Sequence, residues 1–226
     1  MLRSIALGLN SPAPNKRIKG NAMIFLALCD DRPDSGELRA SLLPTHTDHV
    51  VKVLNQLMLA APFGPIDGLP MLTTTGLTGS IFGIEAADAA EAIALMRNDP
   101  YTGPVWQTVE VLRPSNLGGE WTKEGHVGKN GIGSGDGTYL LFSKTPPRAP
   151  AGDGNAPVLL VADLQSVGMA VGTDPIGYCS VIVIKADNLT AATAQARAIY
   201  GVEAEPAVMA VPVGLGNWVG LPSAPT

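Results

Sequence analysis

The chain has 226 residues, of which 46% are hydrophobic and 15% charged, and its formal net charge is −5. This length and apolar content suffice for one large domain or for two compact halves of about 100 residues each. The acidic balance and the scattered lysines and arginines exclude the basic surface that nucleic-acid binding requires, so we expect no nucleic-acid partner.

The apolar segments are short. None approaches the roughly 20 residues that span a bilayer, and the N-terminal IALGL is too short for the core of a signal peptide. We therefore expect a cytoplasmic protein without a membrane partner. Cys29 and Cys179 stand far apart and lack metal-ligand spacing, which predicts two reduced, mostly buried thiols rather than a disulfide.

Changes in composition divide the chain into four segments. Residues 1–21 mix basic residues, prolines and asparagines without periodicity, which predicts a loose N-terminal arm. Glycine recurs every few positions in residues 115–137, which predicts an interdomain linker. Apolar periodicity is confined to residues 22–114 and 138–220, and we interpret these segments as two structured halves.

Four runs in the first half have the length and composition of strands. They are MIFLALC, MLAAP, GSIFGIEA and VWQTVEVLRP, at residues 23–29, 58–62, 79–86 and 105–114. Between the first two, PTHTDHVVKVLNQLM (44–58) repeats apolar residues on one helical face and has a proline where a helix would begin. After the third, DAAEAIALMRN has capping-box spacing between Asp88 and Glu91 and an apolar face.

The resulting order, βαββαβ, is that of a ferredoxin-like α+β fold. Both helices of such a fold lie on one face of an antiparallel sheet, and the other face needs a cover. The second half is a candidate cover, because a shift of 100 residues aligns FGIEAADAAEAIALMR with IVIKADNLTAATAQAR and TVEVLRP with VMAVPVG. TYLLFSK (138–144) and APVLLVADLQ (156–165) then take the places of the first strand and the first helix.

We interpret this self-similarity as a tandem repeat. It predicts two ferredoxin-like (βαββαβ) halves packed sheet to sheet as a pseudo-dimeric α+β barrel. Two ferredoxin-like domains that touch through their helices are the alternative.

His46 and His49 lie three positions apart on the first predicted helix. At 100° per residue, His46 lies on the side of the apolar stripe, whereas His49 lies nearer Lys52 and Gln56. We therefore expect His46 at the edge of the core, where Asp31, just past the first strand, can orient its ring. A polar pair that serves only the fold is one alternative. A metal site shared by both histidines is another, which the orientation of His49 disfavours.

These residues occur in an order that resembles the YCII-related family. The segments DRPDSGELRASLLPTHTDHV and GLTGSIFGIEAADAAEAIALMRNDPYTGPVWQTVEVLRP cover most of residues 22–114. They carry the family's order of polar residues at near-family spacing: Asp31, Arg39, His46, Thr78-Gly79-Ser80 and Asp99-Pro100-Tyr101. The second half keeps only the pattern of elements, with Ile199-Tyr200-Gly201 at the place of Asp-Pro-Tyr.

The resemblance implies a dimeric α+β barrel, usually built from two small subunits, with a His/Asp pair proposed as the active centre. The family and its barrel relatives include dehydrochlorinases, isomerases and cyclases that act on small, often aromatic molecules. For this chain it implies His46 and Asp31 as the catalytic pair of a cofactor-independent elimination, isomerisation or cyclisation, with no metal. A non-catalytic protein that binds a small ligand in a decayed site is the alternative.

The fusion of two halves departs from the family pattern. It leaves a monomeric pseudo-dimer and a homodimer as alternative assemblies. We expect one open site, in the first half, and expect the matching place in the second half to be filled by side chains such as Met169 and Tyr178.

Arg39, Ser80, Asp99, Tyr101 and Trp106 are candidate substrate-binding residues. Arg39 would pair an acidic group of the substrate, or else form an ordinary ion pair. Tyr101 and Trp106 would wall an aromatic pocket, or else belong to the core. Asp99 and the proline after it would otherwise serve only to end a helix.

Overall fold

The computed structural model describes residues 22–64, 76–119, 137–148, 158–201 and 206–211. In the first half the elements are β1 (Met23–Asp31), α1 (Gly36–Lys52), β2 (Leu57–Phe63), β3 (Gly79–Ala86), α2 (Ala89–Arg97) and β4 (Trp106–Gly119). In the second half they are β5 (Thr138–Ser143), β6 (Val158–Val171), β7 (Ser180–Lys185), α3 (Leu189–Tyr200) and β8 (Ala207–Val211). The arm predicted for residues 1–21 lies outside the described residues.

All eight strands belong to one antiparallel sheet, in the order β2-β3-β1-β4-β6-β7-β5-β8. Each half has the strand order of a ferredoxin-like fold, and the halves join where β4 pairs with β6, from Val109 opposite Val171 to Gly119 opposite Leu160. The two end strands of this order, β2 and β8, contact each other, so the sheet curls into a barrel. The predicted pseudo-dimeric α+β barrel is confirmed.

The inner face of the barrel is an apolar core to which both halves contribute. Leu26 and Leu28 of β1 belong to the same buried cluster as Leu140 and Phe142 of β5. Their other partners are Ala61, Phe63, Ile81, Leu112, Ala162, Leu164, Val181 and Val183. Because successive residues of a strand point to opposite faces, the outer faces carry separate cores, covered by α1 and α2 in the first half and by α3 in the second. The alternative in which the halves touch through their helices is therefore wrong.

Helix α1 begins earlier than the sequence pattern predicted. It starts at Gly36, so that Pro44 lies inside the helix and not at its first turn. The first turns show no clear apolar stripe, because one of the residues that face inwards there is Arg39, whose side chain is buried. Leu57, expected on the helical stripe, is instead the first residue of β2.

Residues 156–165 were expected in the place of a helix, and this is wrong: Val158–Val171 is strand β6. The described residues between β5 and β6, numbers 144–148, contain no helix. A continuous apolar run fits a buried strand as well as a buried helix segment. Here residues 158–171 form a strand because they pair with β4 on one side and with β7 on the other.

Strand β4 extends beyond the expected linker boundary. It continues past Pro114 to Gly119, because β6 pairs with Ser115, Gly118 and Gly119. Residues 120–136 of the predicted linker lie outside the described part of the chain.

The start of α2 is capped as its sequence predicted, and the start of α3 repeats the arrangement. The Asp88 carboxylate accepts a hydrogen bond from the backbone N–H of Glu91 at 2.8 Å. One hundred residues later, the side chain of Asn188 accepts one from the N–H of Ala191 at 2.9 Å. Both cysteines are free thiols. None of the helices described is long and apolar enough to cross a membrane.

The barrel predicts that the first half cannot remain monomeric alone. A fragment of residues 22–119 would expose its inner apolar face and the free edge of β4, and each large apolar side chain left in water forgoes about 1.5–3 kcal/mol. We expect the fragment to form a dimer or larger species in size-exclusion chromatography with light scattering. A folded, monomeric fragment would contradict the dependence of each half on the other.

Candidate active site

A buried ion pair joins the start of α1 to the end of β1. Arg39 donates from Nε to Oδ2 of Asp31 at 2.9 Å and from Nη2 to Oδ1 at 2.6 Å. Nη2 also donates to Oγ of Ser80 on β3 at 3.2 Å. The Arg39 and Asp31 side chains are 4% and 6% exposed, so water screens this bidentate pair little. Burial raises the pKa of Asp31, and hydrogen bonding to Arg39 opposes that rise.

This pairing corrects two expectations. The guanidinium of Arg39 is bound by Asp31 and Ser80, so it is not a free cation for an acidic substrate group. Asp31, for its part, is bound by Arg39 and is not the partner of His46.

His46 pairs with Asp99 instead. Its Nδ1 lies 2.9 Å from each carboxylate oxygen of Asp99. An ionised carboxylate only accepts hydrogen bonds, so Asp99 orients the ring with Nδ1–H towards its oxygens and Nε2 away from them. Within the described residues Nε2 makes no hydrogen bond. Asp99 is 4% exposed, and its Oδ1 also accepts the N–H of Tyr101 at 2.9 Å.

The rise of the helix explains why Asp31 reaches Arg39 and not His46. These two α1 residues are seven positions apart, or about 10 Å along the axis at 1.5 Å per residue. The chain turns from β1 directly into α1, so Asp31 meets the first turn of the helix. His46 lies two turns further on, beside the loop between α2 and β4.

That loop presents Asp99 and Tyr101 to helix α1. The backbone leaves the helix after Arg97, as expected before a proline, and the N–H of Thr102 donates to the carbonyl of Asp99 at 2.9 Å. Oγ1 of Thr102 donates to the carbonyl of Met96 at 2.6 Å. Asp-Pro-Tyr therefore ends the helix and also supplies the partners of His46.

An aromatic cluster surrounds the His46 ring. The ring stacks on Tyr101 with centroids 4.0 Å apart and an angle of 8°, and it meets the edges of Trp106 and Phe82 at 5.7 Å and 6.2 Å. The Tyr101 hydroxyl donates to the carbonyl of Arg39 at 2.7 Å. Burial raises the pKa of Tyr101 to about 12, so this donor keeps its proton at neutral pH.

Tyr101 and Trp106 are fully buried, so they contact the histidine and do not wall an open pocket. The sequence identified the polar residues of the cluster but not which of them pair with each other. It did not single out Phe82, whose position inside an ordinary apolar strand carries no distinguishing pattern.

His49 lies beside this cluster in a half-buried position. Burial lowers the pKa of His49 below its ordinary value of 6.5, although the charge of Asp99 acts in the opposite direction. Its Nε2 is buried without a hydrogen-bond partner among the residues described. In the same part of the chain no group of three or more His, Cys, Asp or Glu side chains is arranged to hold a metal ion.

A surface cleft of about 720 Å³ opens beside the ion pair. The end of β1, the start of α1 and the start of β3 line it, and Asp31 is the member of the ion pair that reaches it. Gln107 and Thr78 form part of its wall, whereas His46 and Asp99 do not line it.

The matching place in the second half is filled by Tyr200. Ser180 stands 100 residues after Ser80, and its Oγ donates to the Tyr200 hydroxyl at 3.3 Å. That hydroxyl donates to the carbonyl of Leu141 at 3.0 Å, and Tyr200 is fully buried. The expected occupants were Met169 and Tyr178, and this is wrong. Tyr178 packs against the inner core of the barrel, and Met169 lies on β6 opposite β4.

Comparisons with known proteins match the first half of the chain to a protein family. Residues 23–115 match the family model of the YCII-related domain. The structure of 5-chloro-2-hydroxyhydroquinone dehydrochlorinase (TftG) from Burkholderia phenoliruptrix AC1100, in complex with 2,5-dihydroxybenzoquinone, is 25% identical with a TM-score of 0.34. That similarity covers 39% of this chain and 90% of that chain.

A second structure is similar over more of the chain. It is the FN1347 protein of Fusobacterium nucleatum subsp. nucleatum ATCC 25586, for which a monooxygenase activity has been suggested. It is 8% identical with a TM-score of 0.45, over 86% of this chain and 94% of that chain. No curated protein gives a significant match.

The ion pair predicts a large loss of stability when one partner is removed. Arg39→Met leaves the buried Asp31 carboxylate without its cation, and we expect the free energy of unfolding to fall by about 3–5 kcal/mol in urea titrations. Arg97→Met is the matched control, because Arg97 is exposed and, among the described residues, its hydrogen bonds are contacts of 3.4 and 3.5 Å to backbone carbonyls. The control should change stability by less than about 1 kcal/mol. Equal effects of the two substitutions would contradict the importance of the buried pair.

The environment of His49 predicts a pH dependence of stability. A lowered pKa in the folded state means that the unfolded chain binds the proton more readily, so stability falls as the pH drops below 6.5. We expect His49→Gln to lose less unfolding free energy than the unmodified protein between pH 7 and pH 5. Urea titrations at both pH values measure the difference. Identical losses in the two proteins would show that His49 does not titrate in this way.

Proposed function

We propose that the protein is a small-molecule enzyme in which His46 transfers a proton and Asp99 orients the His46 ring. The match of residues 23–115 to the model of the YCII-related domain supports this proposal. The observation that carries this proposal is the hydrogen bond between Nδ1 of His46 and a carboxylate that is 4% exposed. It replaces the expected pairing of His46 with Asp31.

The geometry suits acid–base chemistry. The Asp99 carboxylate selects the tautomer with a proton on Nδ1 and stabilises the imidazolium that forms when Nε2 accepts a second proton. The stack on Tyr101 limits rotation of the ring, so that Nε2 keeps one direction. A carboxylate–imidazole pair held in this way needs only a substrate with an acidic C–H or O–H at Nε2.

The ion pair of Arg39 and Asp31 supports this centre without taking part in proton transfer. The carbonyl of Arg39 accepts the Tyr101 hydroxyl, and Tyr101 in turn stacks on His46. The backbone of Arg39 therefore fixes the Tyr101 ring, and the Tyr101 ring limits the orientation of His46. Asp31 neutralises the Arg39 charge, and Ser80 binds the remaining donor.

The charges of the site favour a neutral substrate. The Arg39 charge inside the cluster is compensated by Asp31. Among the described residues that line the neighbouring cleft, Asp30, Asp31, Asp34 and Glu37 are acidic and only Arg32 is basic. An apolar or aromatic molecule without a carboxylate fits these surroundings better than an anion. Elimination, isomerisation and cyclisation of such a molecule require proton transfers, which the pair supplies without a redox cofactor.

A ligand-binding protein without catalytic activity is the second candidate. The burial of Tyr101 and Trp106, and the position of His46 outside the cleft lining, favour it. In that case the pair of His46 and Asp99 would serve to attach the α2–β4 loop to helix α1.

Proton exchange tests the catalytic proposal while the substrate is unidentified. A panel of small phenols and enolisable ketones is incubated with the protein in D₂O, and deuterium incorporation is followed by NMR. We expect catalysed exchange on at least one compound and a rate lowered by roughly 10² to 10⁴ in His46→Gln, the range for loss of a general acid or base.

His49→Gln is the matched control and should retain the exchange rate. Exchange that is equally fast in His46→Gln would contradict the role of His46. Compounds that bind without any exchange would favour the ligand-binding alternative.

A further inference from the structure

The inner face of the barrel contains a buried carboxylate that the proposed reaction does not use. Glu110 of β4 stands opposite Leu28 of β1, a member of the inner core, so its side chain points into the barrel. It is 1% exposed. The pair of His46 and Asp99 lies on the other face of the same sheet, among the outer core residues.

One oxygen of this carboxylate is fully engaged. Oε2 accepts the backbone N–H of Ile176 at 2.8 Å and that of Gly177 at 3.3 Å, both in the loop between β6 and β7. Gly177 has a φ of 80°, in the left-handed region that favours glycine, and this conformation helps two successive amides face one oxygen. The loop is therefore built around the carboxylate.

The other oxygen lacks a donor. Oε1 is buried and has no hydrogen-bond partner among the residues that the structure describes. A carboxylate taken out of water is strongly destabilising unless a cation or hydrogen-bond donors compensate it. Among the described residues, Glu110 therefore keeps one open acceptor inside the barrel.

The local strand geometry is specialised at this residue. The pairing of β4 with β6 shifts register between Val109 and Glu110 and again between Val111 and Leu112. Such irregularities re-aim side chains and occur often beside functional sites. Glu110 is bracketed by two of them, on the strand pair that joins the halves.

The surroundings of Glu110 suit a positively charged organic group. Asp30 lies on the same inner face, two residues along β1 from Leu28, and it lines the 720 Å³ cleft. Tyr178 lies in the loop bound to Glu110, next to Gly177, and packs against Phe142 with ring centroids 5.2 Å apart. Carboxylates and aromatic faces together recognise ammonium groups. A metal ion would need more ligands than these two carboxylates supply.

We propose that the end of the barrel interior beside the cleft is a second ligand site, which binds an organic ammonium ion with Glu110 as its counter-ion and Asp30 at its entrance. The site is separate from the proposed proton-transfer centre, and its existence does not depend on that activity.

Thermal unfolding of the full chain with three probes tests the site. The probes are methylammonium, benzylammonium and the neutral benzyl alcohol. We expect at least one ammonium probe to raise the melting temperature saturably and benzyl alcohol to have no such effect. Glu110→Gln keeps an oxygen that accepts the two amides, but it removes the negative charge and places an N–H₂ group at the position of Oε1. It should raise the half-saturating concentration at least about tenfold.

Glu37→Gln is the matched control, because Glu37 is an exposed carboxylate on the rim of the same cleft and should matter by less than about twofold. If Glu110→Gln fails to fold, Asp30→Asn is used in its place, and we expect this substitution to weaken binding of the ammonium probe at least about threefold. The proposal is overturned if neither ammonium probe stabilises the protein. Binding unchanged in Glu110→Gln or Asp30→Asn, equal weakening in Glu37→Gln, or a crystal structure grown with the probe that shows only water at Oε1 would also overturn it.

Discussion

The inner faces of the two half-sheets are apolar, and the helices of each half lie on the opposite face. Leucines, valines and phenylalanines on these inner faces cannot remain in water, so each half becomes the cover of the other. The ladder between β4 and β6 turns this contact into a continuous sheet. The barrel, the length of β4 and the position of both candidate sites follow from that requirement.

The two halves share a strand order but carry different chemistry. In the first half, α1 supplies Arg39 and His46 to the outer face of the sheet, where Ser80 meets the guanidinium. In the second half the serine at the same place bonds to Tyr200, which comes from the end of α3. A buried tyrosine hydroxyl satisfies that serine without any charge, so the described part of the second half has no acid–base pair at this place.

Charged side chains are buried on both faces of the sheet, but their compensation differs. On the outer face, Asp31 and Asp99 each meet a cationic or imidazole partner on the same helix. On the inner face, Glu110 receives two backbone donors at one oxygen. The ion pair on the outer face is satisfied on both sides, whereas Oε1 of Glu110 has no donor among the described residues.

Local patterns in the sequence determined the strands other than β6 and the α2 helix with its Asp88 cap. The resemblance to the YCII-related family, and not local pattern, identified most of the polar residues that converge on the site. Periodicity and helix capping depend on residues close in sequence, so both can be recognised without knowing the tertiary structure. The resemblance to the YCII-related family in residues 22–114 also lay in the order of residues alone. The first turns of α1 and the strand β6 could not be recognised from such patterns, because a buried arginine and a continuous apolar run have no distinctive period.

Only the tertiary structure decided which groups pair. Asp31 was expected to pair with His46, and Asp99 was expected to bind substrate. The observed partners differ because His46 lies about 10 Å along α1 from Arg39, the residue that Asp31 meets. The occupant of the second-half site and the inward direction of Glu110 likewise followed from helix ends and strand register, which packing sets. A sequence specifies which side chains a segment can bury, whereas contacts between distant segments form only when the two inner faces pack together.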